Sequence, residues 1–312
     1  MNKTLALSIT ILLFVIQKIP AQNYLDYYKT INKAEIANLD ENFKKSDSLY
    51  QIAFRLVEKP FKDDYLSASI NSEKLNNNQQ SYEYLKNGIL AGLTKKMIKK
   101  SLSTFKKSKK WKELKKEYES IREQYLNSLD LRLREELIKM VAKDQAVRHP
   151  VFGSTKKMKK ADNENYKHLL KIIEQNNGEW PGRFTIGDGN ENGKYAFGEI
   201  TIMLHHFSEE EVNNLKPILI SAILKGDLSP YNVAYPLDYI NPQKIGERKR
   251  RNSIIIYNCY VLGSYRKSSN KEITICDCEK AETEREKMGL EPLDDYFRKI
   301  NSSYECYEQD KN

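Results

Sequence analysis

Apolar residues recur along this chain mostly at three- and four-residue spacing, in segments separated by short polar turns. That period puts them on one face of a helix. In the first 128 residues it predicts helices over Glu35 to Glu58, Asp63 to Leu75, Gln79 to Leu90, Thr94 to Phe105 and Trp111 to Tyr125. Lys59-Pro60 stops the first, Asn76-Asn77-Asn78 breaks the second from the third, and Gly92 ends the third. Short turns between helices predict antiparallel pairs. Ser48 to Phe54 and Tyr82 to Gly88 lie about 34 residues apart, the period of a tetratricopeptide-like solenoid. The Trp, Gly and Pro landmarks of that repeat are missing, so a plain helical bundle is the competing architecture.

The strongest pattern runs from Leu131 to Arg148. Leu133, Leu137 and Met140 form a stripe that continues into Asp144 and Arg148 instead of further Leu. These two are four apart, so they share a face and can pair. Charges in such a place form a structural salt bridge at a helix end, or a pocket wall where Asp144 orients Arg148 toward an anionic group, with Gln145 beside them. Lys156 to Lys160 reads as a basic loop, and Asp162 as the N-cap of a helix from Asn163 to Gln175. Trp180-Pro181 then fixes an extended bend, with Trp180 either a packing anchor or the wall of a pocket. The loop from Phe184 to Gly193 lacks both the lysine pattern of a phosphate loop and the ligand spacing of a helix–loop–helix calcium site.

Lys194 to Phe207 is expected to be helical, with Ala196, Ile200, Met203 and Phe207 inward. Tyr195, Glu199, Ile202 and His206 share the adjoining face. His206 with Glu199 two turns earlier is a candidate acid/base pair, although a His at a helix end also caps carbonyls. His205 points away. Ser208 and Glu211 form a capping box for a helix through Leu215, Leu219 and Ile223, kinked near Pro217 and stopped by Gly226. Ser229-Pro230 opens a short helix holding Ala234 and Asp238. Ser253 to Leu262 is the clearest strand, with Lys271 to Cys276 its expected partner, and helices over Ala281 to Met288 and through Tyr296 follow. The fold class is mostly α: tetratricopeptide-like helical hairpins over 22–128, then a helical domain over 129–312 with a small β-hairpin near the C-terminus.

Residues 1–21 change the setting. Lys3, the apolar run Leu5 to Ile16 and Pro20-Ala21 make a secretory signal peptide pattern with cleavage near Ala21. The run is shorter than the roughly 20 apolar residues a membrane span needs. The expectation is an exported protein, periplasmic or secreted, with no transmembrane span in the mature chain. Export permits disulfides among Cys259, Cys276, Cys278 and Cys306. Cys259 with Cys276 or Cys278, across two paired strands, is the natural pairing. The spacing is a poor match to zinc, and neither a metal nor a cofactor is expected.

Lys and Arg exceed Asp and Glu by nine, which favours acidic partners. The run KKMIKKSLSTFKKSKKWKELKK from Lys95 to Lys116 either grips anionic groups, with Met97, Leu102, Phe105 and Trp111 between the basic pairs, or lays long Lys stems over an apolar stripe. The expected partner is another protein or an anionic envelope polymer; no nucleic acid is expected.

From about Glu136 to Phe297 the order of residues resembles an uncharacterised bacterial family, a domain of unknown function. Its members show a D-Q-x-x-R helix, an N-x-x-x-L helix, a G-W-P turn, a Gln-His helix end, an Asp-Arg step, a Tyr-Gly-Thr-like turn and an R-x-x-x-G-L-x-P-L segment. Here these read Asp144-Gln145 with Arg148, Asn165 with Leu169, Gly178 with Trp180-Pro181, His205-His206, Asp238-Tyr239, Leu262-Gly263-Ser264 and Arg285 to Leu293. Glu179 is inserted before the Trp, His205 replaces Gln, and Tyr239 replaces Arg. The resemblance implies a shared fold and site but brings no reaction with it. The candidates are therefore His206, Asp144 and Arg148 for catalysis, and Gln145, Trp180, His205 and Asp238 for ligand binding. Without a strong catalytic motif, the reading is a binding module of the cell envelope. The alternative is a periplasmic hydrolase or transferase with His206 as acid or base and the Asp144–Arg148 pair holding an anionic substrate group.

Overall fold

The computed structural model describes residues 23–148, 154–188, 197–240, 243–250, 253–264 and 272–307. The signal peptide pattern, the glycine-rich loop over 189–193, Tyr195, Ala196 and the side chain of Glu199 lie outside what is described.

The chain is mostly helical. Helices α1 (Tyr24–Leu39) and α2 (Phe43–Leu56) pair as one hairpin, and α3 (Lys62–Lys74) and α4 (Asn78–Leu90) as a second. The single helix expected over Glu35 to Glu58 is thus broken. Glu41 takes φ +58°, and the Asn42 side chain accepts from the Lys45 N–H to start α2. Apolar spacing runs on across this reversal, so periodicity hides it, while the cap causes it. The same roles return 35 positions on: Asn77 caps α4, buried Ser81 answers buried Ser46, and Gly88 answers Ala53. Small residues at those sites let the helices of each pair approach closely.

Helix α5 (Lys95–Ser101) is capped by Thr94 and ends well before Phe105, which begins a 3-10 turn over Phe105–Lys107. Ser108 then caps α6 (Lys109–Asn127). Ile98, Leu102, Phe105, Trp111 and Leu114 close a core with Leu85 and Ile89 of α4.

In the second half, α7 (Leu131–Ala146), α8 (Thr155–Gln175), a 3-10 helix (Phe197–His206), α9 (Glu209–Leu224) and α10 (Tyr231–Ile240) enclose the largest core. The basic loop expected at Lys156 to Lys160 is the first part of α8. Ser154 is its cap, accepting from Lys157 N–H, and Asp162 lies inside the helix, not at its start. The Asp162 carboxylate is instead engaged by Arg148. The capping box between Ser208 and Glu211 is present as expected, and Pro217 lies within α9.

Strand β1 (Gln243–Arg250) pairs antiparallel with β2 (Ser253–Cys259), with a bulge between Lys244 and Gly246. Strand β3 (Glu272–Ile275) runs parallel to β4 (Ser303–Cys306). The small hairpin is therefore real, but the partner of the 253–259 strand precedes it. Residues 248–250 end that partner strand, whose sequence shows no apolar alternation. One Tyr260–Ile275 bridge joins the two ribbons. Disulfides link Cys259 to Cys276, one of the two expected pairings, and Cys278 to Cys306. Helices α11 (Cys278–Lys287) and α12 (Leu293–Lys299) lie between the cysteines of the second bridge.

Helix α1 is the seam between the halves. Tyr28 donates to the Ile223 carbonyl at 3.0 Å, Asn32 to Asp295 at 2.6 Å, and Lys299 reaches Glu35 at 2.6 Å. Arg183 fastens the same seam: its Nε donates to the Gly226 carbonyl at 2.5 Å, Nη1 to Pro60 at 3.1 Å, and Nη2 to Lys59 and to the Tyr24 hydroxyl. Among the described residues, no helix is long and apolar enough to cross a membrane.

Candidate functional site

The apolar stripe of α7 delivers Asp144 to the floor of the second half, where its side chain is 1% exposed. A carboxylate there must be fully partnered to stay ionised. Four donors surround it. Oδ1 accepts from Asn165 Nδ2 at 3.0 Å and lies 3.3 Å from Arg148 Nη2; Oδ2 accepts from Gln145 Nε2 at 2.7 Å and lies 3.1 Å from His206 Nδ1. Burial pushes the Asp144 carboxyl up, but contact with His206, then Arg148 and Gln145, outweighs it and holds the pKa below the usual value. The His206 contact is ionic in distance but not aligned as a hydrogen bond, and Nδ1 has no bonded partner among the described residues. Arg148 Nη2 also pairs with Asp162, while its Nη1 is buried with no partner among the described residues.

Asp144, Gln145, Arg148 and His206 therefore converge, and they bring in Asp162 and Asn165. Among the described side chains the partner of His206 is Asp144, sixty-two positions away in sequence; the expected pairing with Glu199 lies outside the described residues. A 3-10 helix advances three residues per turn, so His206 falls in line with Met203 and Ile200. Asp144, Asp162 and His206 offer ligand atoms within 4.8 Å of one another, a spacing that suits a metal ion. Arg148 Nη2, in contact with both carboxylates, already supplies the positive charge there.

His205 packs edge-on to Tyr239 at 4.8 Å and Tyr235 at 5.3 Å, and its Nδ1 lies 3.0 Å from the Ile202 carbonyl. Burial pushes its pKa down, and nearby His206 adds to that, so it stays neutral at physiological pH.

Two candidates have other work. Asp238 accepts from Leu262 N–H at 2.8 Å and Ser264 N–H at 2.6 Å, and buried Arg285 holds the same turn through the Leu262 carbonyl at 2.7 Å and the Ser264 hydroxyl at 3.2 Å. Asp238 thus shapes the 262–264 turn. Trp180 is 2% exposed in the main core and borders a cavity of about 390 Å³ between the two halves. Sequence reasoning passed over Arg183 and this cavity. Its walls come from five separate stretches, and the seam arginine carries no motif.

The basic run is the third feature. Residues 95–116 hold eleven Lys and one acid, Glu113, a surplus of ten against nine for the whole chain. Nine of those Lys, among them Lys99, Lys100, Lys112, Lys115 and Lys116, are exposed, while Phe105 and Trp111 are buried. The aromatics therefore anchor the helices and offer no stacking surface. Comparison of the chain with protein-family models, curated proteins and solved structures finds no match.

Proposed function

We propose that this protein is an exported binding module of the cell envelope whose α5–α6 face holds an anionic polymer. The observation that carries the reading is charge placement. Without residues 95–116 the chain is close to neutral, so the basic character of the whole protein is the property of one face. Such a face attracts a polyanion by long-range field, with strong dependence on salt. Export rests on the signal peptide pattern, and two disulfides that include every cysteine of the chain support it. The internal pairing of Asp144 and Asp238 also favours binding over chemistry in the second half.

The test is retention of the purified protein on an immobilised polyuronate across a salt gradient. Lys112→Glu, Lys115→Glu and Lys116→Glu together should abolish retention. Reversing three exposed lysines on α8, Lys156, Lys157 and Lys159, should leave most of it. Equal loss in both variants would mean net charge alone is responsible and would overturn the reading.

The Asp144–His206 contact favours a second reading, a hydrolase or transferase. Asp144 would orient the His206 ring through Nδ1 and leave Nε2 as acid or base, with Arg148 Nη1 for an anionic substrate group. That residues of the bacterial domain of unknown function meet here, Asp144, Gln145, Arg148, Asn165 and His206, supports a site shared with that family. A screen of ester, amide and phosphodiester substrates with wild type and His206→Gln tests it: turnover that survives the substitution excludes His206.

A further inference from the structure

The cavity at the seam is a separate place from the basic face and from His206. Four aromatic rings border it: Tyr28, Phe61, Trp180 and Tyr231. Its volume, about 390 Å³, lies at the small end of the range for pockets that bury a small molecule. Its charge is unbalanced. Six carboxylates (Glu35, Asp63, Asp64, Asp188, Asp227 and Glu291) face three cations (Lys62, Lys299 and Arg183), a formal excess of three negative charges.

The cations are all engaged. Lys62 lies between Asp63 at 2.7 Å and Asp188 at 2.9 Å, and Lys299 between Glu35 at 2.6 Å and Glu291 at 2.9 Å. Each lysine thus spans two carboxylates and leaves one negative charge over. Arg183 spends its donors on carbonyls and the Tyr24 hydroxyl. A second, independent observation also points to a missing donor. Asn32 lines the cavity at 9% exposure and donates its amide to Asp295, which fixes the carbonyl end. That carbonyl, Oδ1, is buried and has no partner among the described residues. A buried acceptor in such a position is costly unless a donor arrives.

We propose that the seam cavity binds a small organic cation, a primary amine carried on a compact apolar body. Each carboxylate already has a donor, Asp64 from the Tyr27 hydroxyl and Asp227 from the Phe184 N–H among them, so the ammonium supplies the positive charge that their excess lacks and a donor for Asn32 Oδ1, and the body packs on the rings, whose faces attract cations. An anionic or neutral molecule of the same shape gains neither. Asp64 is the carboxylate with most to gain. Burial, then the charges of Glu35 and Asp63, pushes it up to about 7, so a cation beside it favours its ionised form.

Three probes of one shape test this on the intact protein at about pH 8, where Asp64 is ionised: phenethylamine, 2-phenylethanol and phenylacetate. Calorimetry should show the amine binding at least about tenfold more tightly than either other compound. Trp180 fluorescence should change as the cavity fills. Asp64→Asn should weaken the amine about tenfold while leaving the far-UV circular dichroism unchanged. Glu35→Gln, on α1, gives a second reading if that variant misfolds. Equal binding of alcohol and amine, no saturable binding of the amine, or full affinity in both folded variants would each overturn the proposal; the last would mark adventitious binding elsewhere.

Discussion

Gly226 lies flat against the ring of Tyr24: a Cβ placed there would stand 2.0 Å from two ring carbons. Its φ of +72° is also left-handed. Gly226 ends the segment after α9, and its carbonyl takes Arg183 Nε, so the contact sits where the two halves are pinned. Gly226→Ala carries a backbone penalty of about 1–3 kcal/mol and must displace the Tyr24 ring as well. We expect a loss of at least about 3 kcal/mol, with the halves loosened before either core melts. Chemical denaturation should then show two transitions where the wild type shows one. A variant as stable as wild type would mean that the seam is soft.

The Asp144 cluster has a pH signature. Its folded pKa is depressed by His206 and Arg148, so it contributes stability above the unfolded pKa of about 3.9, and that stability is lost as pH falls through the lower folded value. Asp144→Asn should flatten the acid limb of Tm against pH. Asp144→Ala strands Asn165 and part of Arg148 in the core and should cost about 3 kcal/mol. If both variants melt like wild type at every pH, the cluster is not a stability element.

Asp64 has the opposite sign. Its folded pKa, pushed up to about 7, lies above the unfolded value, so the folded state holds the proton longer than the unfolded chain does. Stability should decline as pH rises from about 4 to about 7, and then level off. The groups facing it are Glu35 and Tyr27 of α1, Asp63 of α3, and Arg183. Asp64→Asn should raise Tm at pH 8 more than at pH 5; an equal effect at both would place the carboxyl in water.

The disulfides tie down the last fifth of the chain. They join residues 17 and 28 positions apart, and each contributes roughly 3 kcal/mol by loop closure. Reduction should release β3 and β4 to proteolysis while the α1–α4 hairpins stay protected, because neither bridge reaches them. Mass spectrometry of early cleavage sites separates this from global unfolding.

Much of the helical frame can be read in the sequence, because each helix carries its own period and often its own cap. Ser208 with Glu211 is such a local signal, and so is the stop at Gly226. The errors fall where a local signal had a distant competitor. Asp162 is a fair cap by its surroundings, but Arg148 takes its carboxylate. His206 meets Asp144, sixty-two positions away, a contact that no local spacing announces. The partner of β2 was missed because β1 carries a lone Ile245 among polar and charged residues and so shows no apolar alternation. Asp144, Arg148 and His206 were legible as a group, since charges interrupt an apolar stripe there. The seam cavity was not, since its carboxylates are spread over most of the chain and only the docking of α1 collects them.

That docking has a consequence for how the protein is made. Helix α1 emerges early from the ribosome, yet its contacts with Ile223, Glu286, Asp295 and Lys299 belong to residues made 195 to 264 positions later. The hairpin of α1 with α2 can form early, but its docking on the second half must wait for the end of the chain. The two halves of the protein therefore lock together only once all of the chain has been made.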